Sequence, residues 1–389
     1  MSDSLNTPLS TSSHTHTNSI ATARHLGLVL SGGGSRAAYQ VGVLKALRAA
    51  LATRNQRINV IVGSSLGAIN GIVLGACQSA GIGTAIEVLE SLWRERTYAN
   101  TFRGSISRSF LRAVQVAVLR YSAPGPCASD VSIFDPTPLR ERVNSVLADF
   151  NGLRSELLPR GDAIAVMTTL EGERRRPMLL TCAGPELDPS LLKGSSFDLV
   201  QVQELTAEHG FASAALPSVL PAVDLNIETR QVRLVDGGIC DNIPVDPAVR
   251  LGSDELILID ASGRRWWFDH YGQPHYTRPT WEVPAEQTTY CLCPTRMLEC
   301  SNREAFGPLL KHAVGSSRRD FILALGPTWP IFRILKHKMG ESLAYEVMSY
   351  VALHPQYIDA LIEQGYREAL AELARRAPSE TPLSLVAEL

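Results

Sequence analysis

Two consecutive units of apolar strand, glycine turn and helix near the N-terminus place the strongest constraint on the fold. The apolar run Leu26–Leu30 leads into a serine and three glycines, after which helical spacing runs from Ser35 to about residue 52. A second run, Ile58–Val62, leads into Gly63-Ser-Ser-Leu-Gly67 and then into another helix that ends near residue 80. Because strands that alternate with helices form parallel sheets, this pattern predicts an α/β fold.

The rest of the chain divides by composition and periodicity. Residues 1–23 are polar and rich in Ser, Thr and Asn, which predicts a disordered tail. Periodicity weakens after Asp260 and returns as helical spacing from Ala305. We therefore predict a main domain of residues 24–260 and a C-terminal region of residues 261–389 that is first irregular and then mostly helical. Within the main domain we expect strands at 162–168, 178–182, 222–227, 231–235 and 255–260, a helix at 203–215, and a loop or cap at 100–136.

The composition excludes several classes of protein. Hydrophobic residues make up 45% of the 389, which is enough for a packed core and too much for a wholly disordered chain. The net charge of −2 lacks the basic excess of a general nucleic-acid binder. No run of about 18–20 apolar residues could span a membrane, and the N-terminus does not resemble a secretory signal. We expect a cytoplasmic or peripherally membrane-associated protein without a nucleic-acid partner.

The seven cysteines predict neither a disulfide framework nor a metal site. Cys291, Cys293 and Cys300 could supply thiolates, but the C-x2-C spacing and the nearby histidine of zinc sites are missing. The chain also lacks the Asp-rich loop of calcium sites. We therefore expect no metal and no cofactor.

Ser65 is the candidate nucleophile. Gly63 and Gly67 place it at the centre of a G-x-S-x-G motif, at the point where a strand ends and a helix begins. A sharp turn of this kind lifts the serine hydroxyl above the sheet and requires small neighbours, and the helix behind it favours developing negative charge. The alternative is that these residues form an ordinary glycine-containing loop.

The glycine turn Gly32-Gly33-Gly34, followed by Ser35 and Arg36, is the second candidate element. Backbone N–H groups in such a turn can point at one spot and form either an oxyanion hole or a phosphate cradle. A nucleotide site is disfavoured because no Gly-Lys-Ser/Thr follows the turn and no acidic residue stands about 20 residues later. An oxyanion hole beside Ser65 explains both glycine turns with one reaction.

A serine nucleophile needs a base, and the sequence offers a carboxylate more clearly than a histidine. Asp236-Gly237-Gly238 ends a predicted strand, so the carboxyl group can lie at the same edge of the sheet as Ser65. The alternative is a plain Asp-Gly turn. A Ser-His-Asp arrangement would instead need a late histidine, for which His312, His337 and His354 are the candidates.

Taken together, these motifs resemble the patatin-like phospholipases. The two glycine turns and Asp-Gly-Gly occur in the family's order, and Ala212–Pro217 and Asp241–Pro244 resemble two further blocks of that family. The resemblance covers about residues 26–250 and implies a three-layer α/β fold with a central, mainly parallel sheet. It implies a lipid acyl hydrolase with a dyad of Ser65 and Asp236, no histidine, and an oxyanion turn shaped by residues 32–36. One departure is Ala37, which replaces the last glycine of the family's first turn.

Several alternatives stay open at this point. The same dyad could pass the acyl group to another acceptor, which would make the protein a transacylase. A Ser-His-Asp esterase, a non-catalytic binding module and a nucleotide-binding protein are weaker candidates. Arg36 could orient the glycine turn or meet a lipid phosphate, or it could be an ordinary solvated helix residue.

The segment 317–338 is a candidate for contact with a membrane. It places apolar and aromatic residues, including Trp329 and Phe332, between basic flanks. Gly326, Pro327 and Pro330 prevent one continuous amphipathic helix. The alternative to docking is that the apolar residues belong to the core. The sequence leaves the oligomeric state open.

Overall fold

The computed structural model describes residues 25–53, 57–104, 108–109, 111–112, 115, 132–172, 175–185, 196–227, 229–263, 296–302 and 304–376. The predicted tail of residues 1–23 lies outside these ranges. So do most of the predicted loop or cap at 100–136 and the cysteines at 291 and 293.

Eleven strands lie in the described part of the chain. They are β1 (Leu26–Leu30), β2 (Val60–Ser64), β3 (Leu153–Arg154), β4 (Ala163–Leu170), β5 (Arg176–Ala183), β6 (Asp198–Gln201), β7 (Glu204–Leu205), β8 (Val223–Ile227), β9 (Arg230–Asp236), β10 (Glu255–Asp260) and β11 (Arg296–Ser301). Nine of them form one sheet in the order β11-β10-β1-β2-β4-β5-β6, with β9 paired to β4 and β8; β3 and β7 pair separately. Five of the eight pairings in the large sheet are parallel. The predicted α/β fold with a mainly parallel sheet is confirmed.

The helices of the main domain precede those of the C-terminal region. They are α1 (Ala38–Thr53), α2 (Leu66–Cys77), α3 (Ile82–Arg94), α4 (Tyr98–Thr101), α5 (Thr137–Asp149), α6 (Ala207–Ala214), α7 (Val245–Arg250), α8 (Phe306–Val314), α9 (Arg318–Leu325), α10 (Trp329–Met339), α11 (Glu341–Met348) and α12 (Pro355–Arg376). The predicted helical character of the C-terminal region is therefore confirmed.

The sheet is covered on both faces because alternate strand residues point in opposite directions. In β1, Leu28 and Leu30 join the larger core cluster, which includes residues of α1, α2, α3 and α12. Val29 joins a smaller cluster on the other face, with Ala248 of α7. The carboxyl ends of β1 and β2 meet between these layers, and the two glycine turns follow them directly.

The C-terminal region packs onto the main domain. Strand β11 pairs in parallel with β10, and α12 crosses α1 at two glycines. A Cβ atom on Gly42 would collide with the carbonyl oxygen of Ile362, and one on Gly365 with that of Tyr39. The boundary near residue 260 stays a prediction, but side chains from both sides of it share one core.

Two local predictions were wrong. The helix predicted at 203–215 begins only at Ala207, because Glu204 and Leu205 pair with β3 and Thr206 caps the helix with His209. The stretch between Asp260 and Ala305, predicted to be irregular, contains β11, in which Cys300 is buried. Within the described residues, no helix is both long and apolar enough to cross a membrane.

The segment 317–338 forms two helices, α9 and α10, separated by a short 3-10 turn at Gly326–Thr328, so the predicted interruption is confirmed. Its apolar residues divide between core and surface. Leu325 and Phe332 are buried, and the Phe332 ring packs 4.9 Å from that of Tyr345. Leu323 and Ile334 are exposed. Contact with a membrane stays a prediction.

Candidate active site

Ser65 occupies a strained turn between β2 and α2. Its φ is +52° and its ψ is −129°, a backbone conformation that residues with a side chain rarely adopt. A Cβ atom on Gly63 would collide with the carbonyl oxygen of Gly67, and one on Gly67 would lie 2.5 Å from the carbonyl oxygens of Leu30 and Ser31. The motif therefore needs both glycines so that α2 can turn back closely onto the sheet.

The structure brings Ser65 and Asp236 together across 171 residues of sequence. The Ser65 hydroxyl donates a hydrogen bond of 2.7 Å to Oδ2 of Asp236. Oδ1 of the same carboxylate accepts a bond of 2.7 Å from the Gly238 N–H. Burial raises the pKa of Asp236 to about 6, although both of these hydrogen bonds act in the opposite direction. A carboxylate held in this way can accept the hydroxyl proton near neutral pH.

The candidate histidines lie elsewhere. His312 and His337 are exposed residues of α8 and α10, and His354 faces Asp320 at 4.0 Å. Burial lowers the pKa of His354, so it stays neutral more readily than a free histidine. No histidine of the described ranges lines the cavity around Ser65. The same ranges contain no group of three His, Cys, Asp or Glu residues that could hold a metal.

The glycine turn offers two unoccupied backbone donors beside Ser65. Three of the five N–H groups in the turn already have acceptors. The Gly32 N–H donates to the Asn242 carbonyl at 3.3 Å, and the Ser35 N–H donates to the Tyr350 carbonyl at 2.8 Å. The Arg36 N–H donates to the Gly33 carbonyl at 3.2 Å. Within the described residues, the N–H groups of Gly33 and Gly34 have no acceptor. An oxyanion hole needs donors that are left unpaired for the transition state, and these two meet that condition.

Close packing explains why glycine is required in this turn. A Cβ atom on Gly32 would lie 2.8 Å from the Cβ atom of Ser65. Gly34 has a φ of +58°, and a Cβ atom there would collide with the carbonyl oxygen of Tyr350. A side chain at either position would therefore force the turn to shift.

Arg36 lies inside the protein, directly after the glycine turn; that it orients this turn stays a prediction. Its side chain is only 1% exposed, which excludes the solvated helix residue considered above. The guanidinium forms an ion pair of 2.8 Å with Glu346, donates 2.8 Å to the Ser349 hydroxyl, and stacks over the Tyr350 ring. These partners belong to α11 and the residues after it, so the C-terminal region anchors the residue that follows the glycine turn.

Two polar residues that support the site had no assigned role in the sequence. The Ser213 hydroxyl accepts the Ser65 N–H at 2.8 Å and donates 2.6 Å to the Met167 carbonyl. The backbone carbonyl of Asn242 accepts the Gly32 N–H, and the side-chain amide of Asn242 donates to the Gly32 carbonyl at 3.4 Å. Both residues lie in the blocks that resemble the family, Ala212–Pro217 and Asp241–Pro244. This resemblance was the only signal in the sequence that could have identified them.

Ser65 and Asp236 lie at the wall of a cavity of about 540 Å³. The cavity is large enough for a substantial part of a lipid molecule. Most of its surface is apolar and comes from α3, α5, α6 and the loops between them; it includes Trp93, Phe102, Phe134, Leu139, Phe211 and Leu220. An acyl chain could therefore be buried next to the serine without leaving polar groups unpaired.

The sequence match decides the family. The model of the patatin-like phospholipases matches residues 28–249, which is more than half of the chain and includes Ser65 and Asp236. The chain belongs to the patatin-like phospholipase family. Membership supports a hydrolase that acts on lipids. No curated protein is significantly similar to this patatin-like chain in sequence.

Three solved structures are distantly similar to this patatin-like phospholipase. VipD from Legionella pneumophila is 14% identical, with 90% of this chain and 67% of that chain covered and a TM-score of 0.35. Human GIVD cytosolic phospholipase A2 is 13% identical, with 94% and 61% covered and a TM-score of 0.40. The type III effector ExoU, from Pseudomonas aeruginosa, is 14% identical, with 92% and 54% covered and a TM-score of 0.35. The chain thus spans between 54% and 67% of these proteins.

Proposed function

We propose that the protein is a lipid acyl hydrolase of the phospholipase A or lysophospholipase type, with Ser65 as nucleophile and Asp236 as general base. The observation that carries this proposal is the 2.7 Å hydrogen bond from the Ser65 hydroxyl to the buried Asp236 carboxylate, at the wall of an apolar cavity. A carboxylate whose pKa is raised to about 6 is a stronger base than an exposed one and is still ionised at pH 7.

Acylation follows from this geometry. Oδ2 of Asp236 takes the Ser65 proton while Oγ attacks the ester carbonyl carbon. The N–H groups of Gly33 and Gly34 stabilise the oxyanion of the tetrahedral intermediate, and each such donor lowers the barrier by about 3–4 kcal/mol. When the intermediate collapses, Asp236 returns the proton to the leaving alcohol and the acyl group remains on Ser65.

Deacylation uses the same groups in reverse. Water gives a proton to Asp236 as its oxygen attacks the acyl-enzyme, and collapse of the second intermediate returns that proton to Ser65 and frees the fatty acid. An alcohol in place of water would give a transacylase. Analysis of the products with and without a glycerol acceptor separates the two reactions.

The proposal is tested by fatty-acid release from lysophosphatidylcholine, measured by mass spectrometry. Ser65→Ala removes the nucleophile and should lower kcat by at least about a thousandfold. Ser64→Ala is the matched control, because it removes a buried hydroxyl one residue away that has no hydrogen-bond partner, and it should keep near wild-type activity.

Two results would overturn the assignment. One is a folded Ser65→Ala variant, with an unchanged circular dichroism spectrum, that hydrolyses the lipid as fast as the wild type. The other is an active Asp236→Asn variant together with an inactive His354→Ala variant, which would favour the Ser-His-Asp arrangement.

A further inference from the structure

Among the described residues, the cavity wall contains one cation that has no counter-ion. Four charged residues of the described chain line the cavity: Arg36, Arg96, Asp236 and Glu346. Arg36 and Glu346 form an ion pair, and Asp236 accepts hydrogen bonds from Ser65 and Gly238. Arg96 remains, and it lies just after the end of α3.

Arg96 is buried, and no carboxylate of the described residues pairs with it. The residue is 3% exposed, and its Nε has no hydrogen-bond partner in the part of the chain that the structure describes. No ion pair or side-chain hydrogen bond joins its guanidinium to any described residue. Its neighbour Glu95 is half exposed and is held instead by Arg142, at 3.2 Å and 3.3 Å. Glu95 therefore offsets the charge of Arg96 only at a distance.

The surroundings hold this guanidinium in place without neutralising it. It lies over the Trp93 ring, 4.8 Å from the ring centroid, and the Trp93 indole is itself fixed by a hydrogen bond of 2.8 Å to Asn70. Burial lowers the pKa of Arg96 to about 9, so it is still charged at neutral pH. A buried, unpaired charge is costly, and such a group is stabilised when an anion enters beside it.

We infer that Arg96 binds the phosphate of a phospholipid substrate whose acyl ester lies at Ser65. The inference rests on the proposed lipid acyl hydrolase activity. The motif position had suggested a lipid phosphate contact for Arg36, but the guanidinium of Arg36 already donates to Glu346, to Ser349 and to the Ser262 carbonyl, so we assign this contact to Arg96. A guanidinium presents several N–H donors in a planar fork that matches phosphate oxygens, whereas the rest of the cavity is mostly apolar. Arg96 would therefore determine specificity and take no part in the proton transfers.

The test compares two substrates with the same acyl esters: dihexanoyl phosphatidylcholine, which carries a phosphocholine group, and dihexanoylglycerol, which has a free hydroxyl in its place, both at concentrations at which they are monomeric. For the wild type, kcat/KM should be at least about tenfold higher for the phosphatidylcholine, since a hydrogen bond to a charged group contributes about that factor. A wild type that hydrolyses both equally well would overturn the inference without any variant.

Substitution of Arg96 gives the second arm of the test. Arg96→Met keeps an apolar stem and removes the guanidinium with its charge, and it should lower the preference for phosphatidylcholine roughly 10- to 100-fold. Arg96→Lys keeps the charge and should retain part of the preference. Arg142→Met is the matched control, because Arg142 lies outside the cavity and pairs with Glu95; it should keep the wild-type ratio. Equal losses on both substrates would show a structural role and overturn the inference.

A binding measurement separates this inference from the proposed function. Titration calorimetry of dihexanoyl phosphatidylcholine into Ser65→Ala, with and without Arg96→Met, needs no turnover. Weaker binding by the double variant supports the phosphate contact even if Ser65 proves not to be the nucleophile. Unchanged binding overturns the contact even if Ser65 is essential. Glycerol 3-phosphate that binds as tightly as the lipid would show a site for free phosphate esters and overturn the assignment to a phospholipid.

Discussion

Replacement of Asp236 by Asn should stabilise the protein at alkaline pH and leave it nearly unchanged at acid pH. Burial raises the pKa of this carboxyl group from an ordinary value of 3.8 to about 6. The folded protein therefore binds the proton more tightly than the unfolded chain does. When the pKa of an acid is raised in the folded state, the contribution of that acid to stability is fully present below pH 4. This contribution is lost progressively as the pH rises to about 6.

The size of the effect follows from the shift. About two pKa units at 1.36 kcal/mol each amount to about 2–3 kcal/mol that the wild type loses between pH 4 and pH 8. Asn has the shape of the protonated acid and carries no charge, so the variant avoids this loss. The difference in unfolding free energy between variant and wild type should therefore grow by that amount over the same interval.

Urea denaturation of both proteins at a series of pH values measures this difference. The rate profile supplies an independent check, because kcat/KM on a neutral ester should fall about tenfold per pH unit below pH 6 if Asp236 is the base. Both curves should bend at the same pH, since one carboxyl group governs them. A stability difference that stays constant with pH would show that the pKa of Asp236 is not raised by folding. A rate profile that bends near pH 6 beside such a constant difference would assign the bend to another group.

Three further predictions concern the turn, its anchor and the surface. Gly34→Ala should lower kcat about a hundredfold with a smaller change in KM, because it displaces an oxyanion donor; Gly81→Ala, which shares the positive φ but has open space around it, should keep kcat in the same steady-state assay. Glu346→Gln should lower both kcat and the unfolding free energy, the latter by about 3 kcal/mol in urea denaturation, because it leaves a buried guanidinium without its counter-charge; unchanged values would contradict the anchoring role. If segment 317–338 docks to membranes, the exposed pair Leu323→Ser and Ile334→Ser should reduce co-sedimentation with anionic vesicles at low salt while the protein stays folded; equal sedimentation would contradict docking.

The parts of the fold that follow from local pattern were predictable. The strand and turn around Ser65 and the carboxylate at Asp236 are each marked by residues that are close in sequence, because a tight turn requires small neighbours at fixed spacing. The strand ends placed both residues at one edge of the sheet, and the family resemblance implied that they act as a dyad. The 2.7 Å hydrogen bond between them depends on how the strands pair, which sequence spacing does not give.

The parts that depend on distant contacts were not predictable. Nothing in the sequence around Glu346 indicates that it pairs with Arg36, 310 residues away. The strand at Arg296–Ser301 lacks strict alternation and is stabilised by pairing with Glu255–Asp260. Arg96 is an ordinary helix-end residue by sequence, and only the three-dimensional structure shows that it is buried and unpaired.

The most direct test of the dyad is labelling with an alkyl fluorophosphonate, followed by peptide mapping. The probe reacts with a serine only when a base has activated its hydroxyl and an oxyanion site can receive the phosphonyl oxygen. A dyad of Ser65 and Asp236 should give one adduct on the wild type, located on the peptide that contains Ser65, and at least a tenfold slower reaction in Asp236→Asn. An adduct on another residue, or equal labelling rates for the wild type and Asp236→Asn, would exclude this dyad.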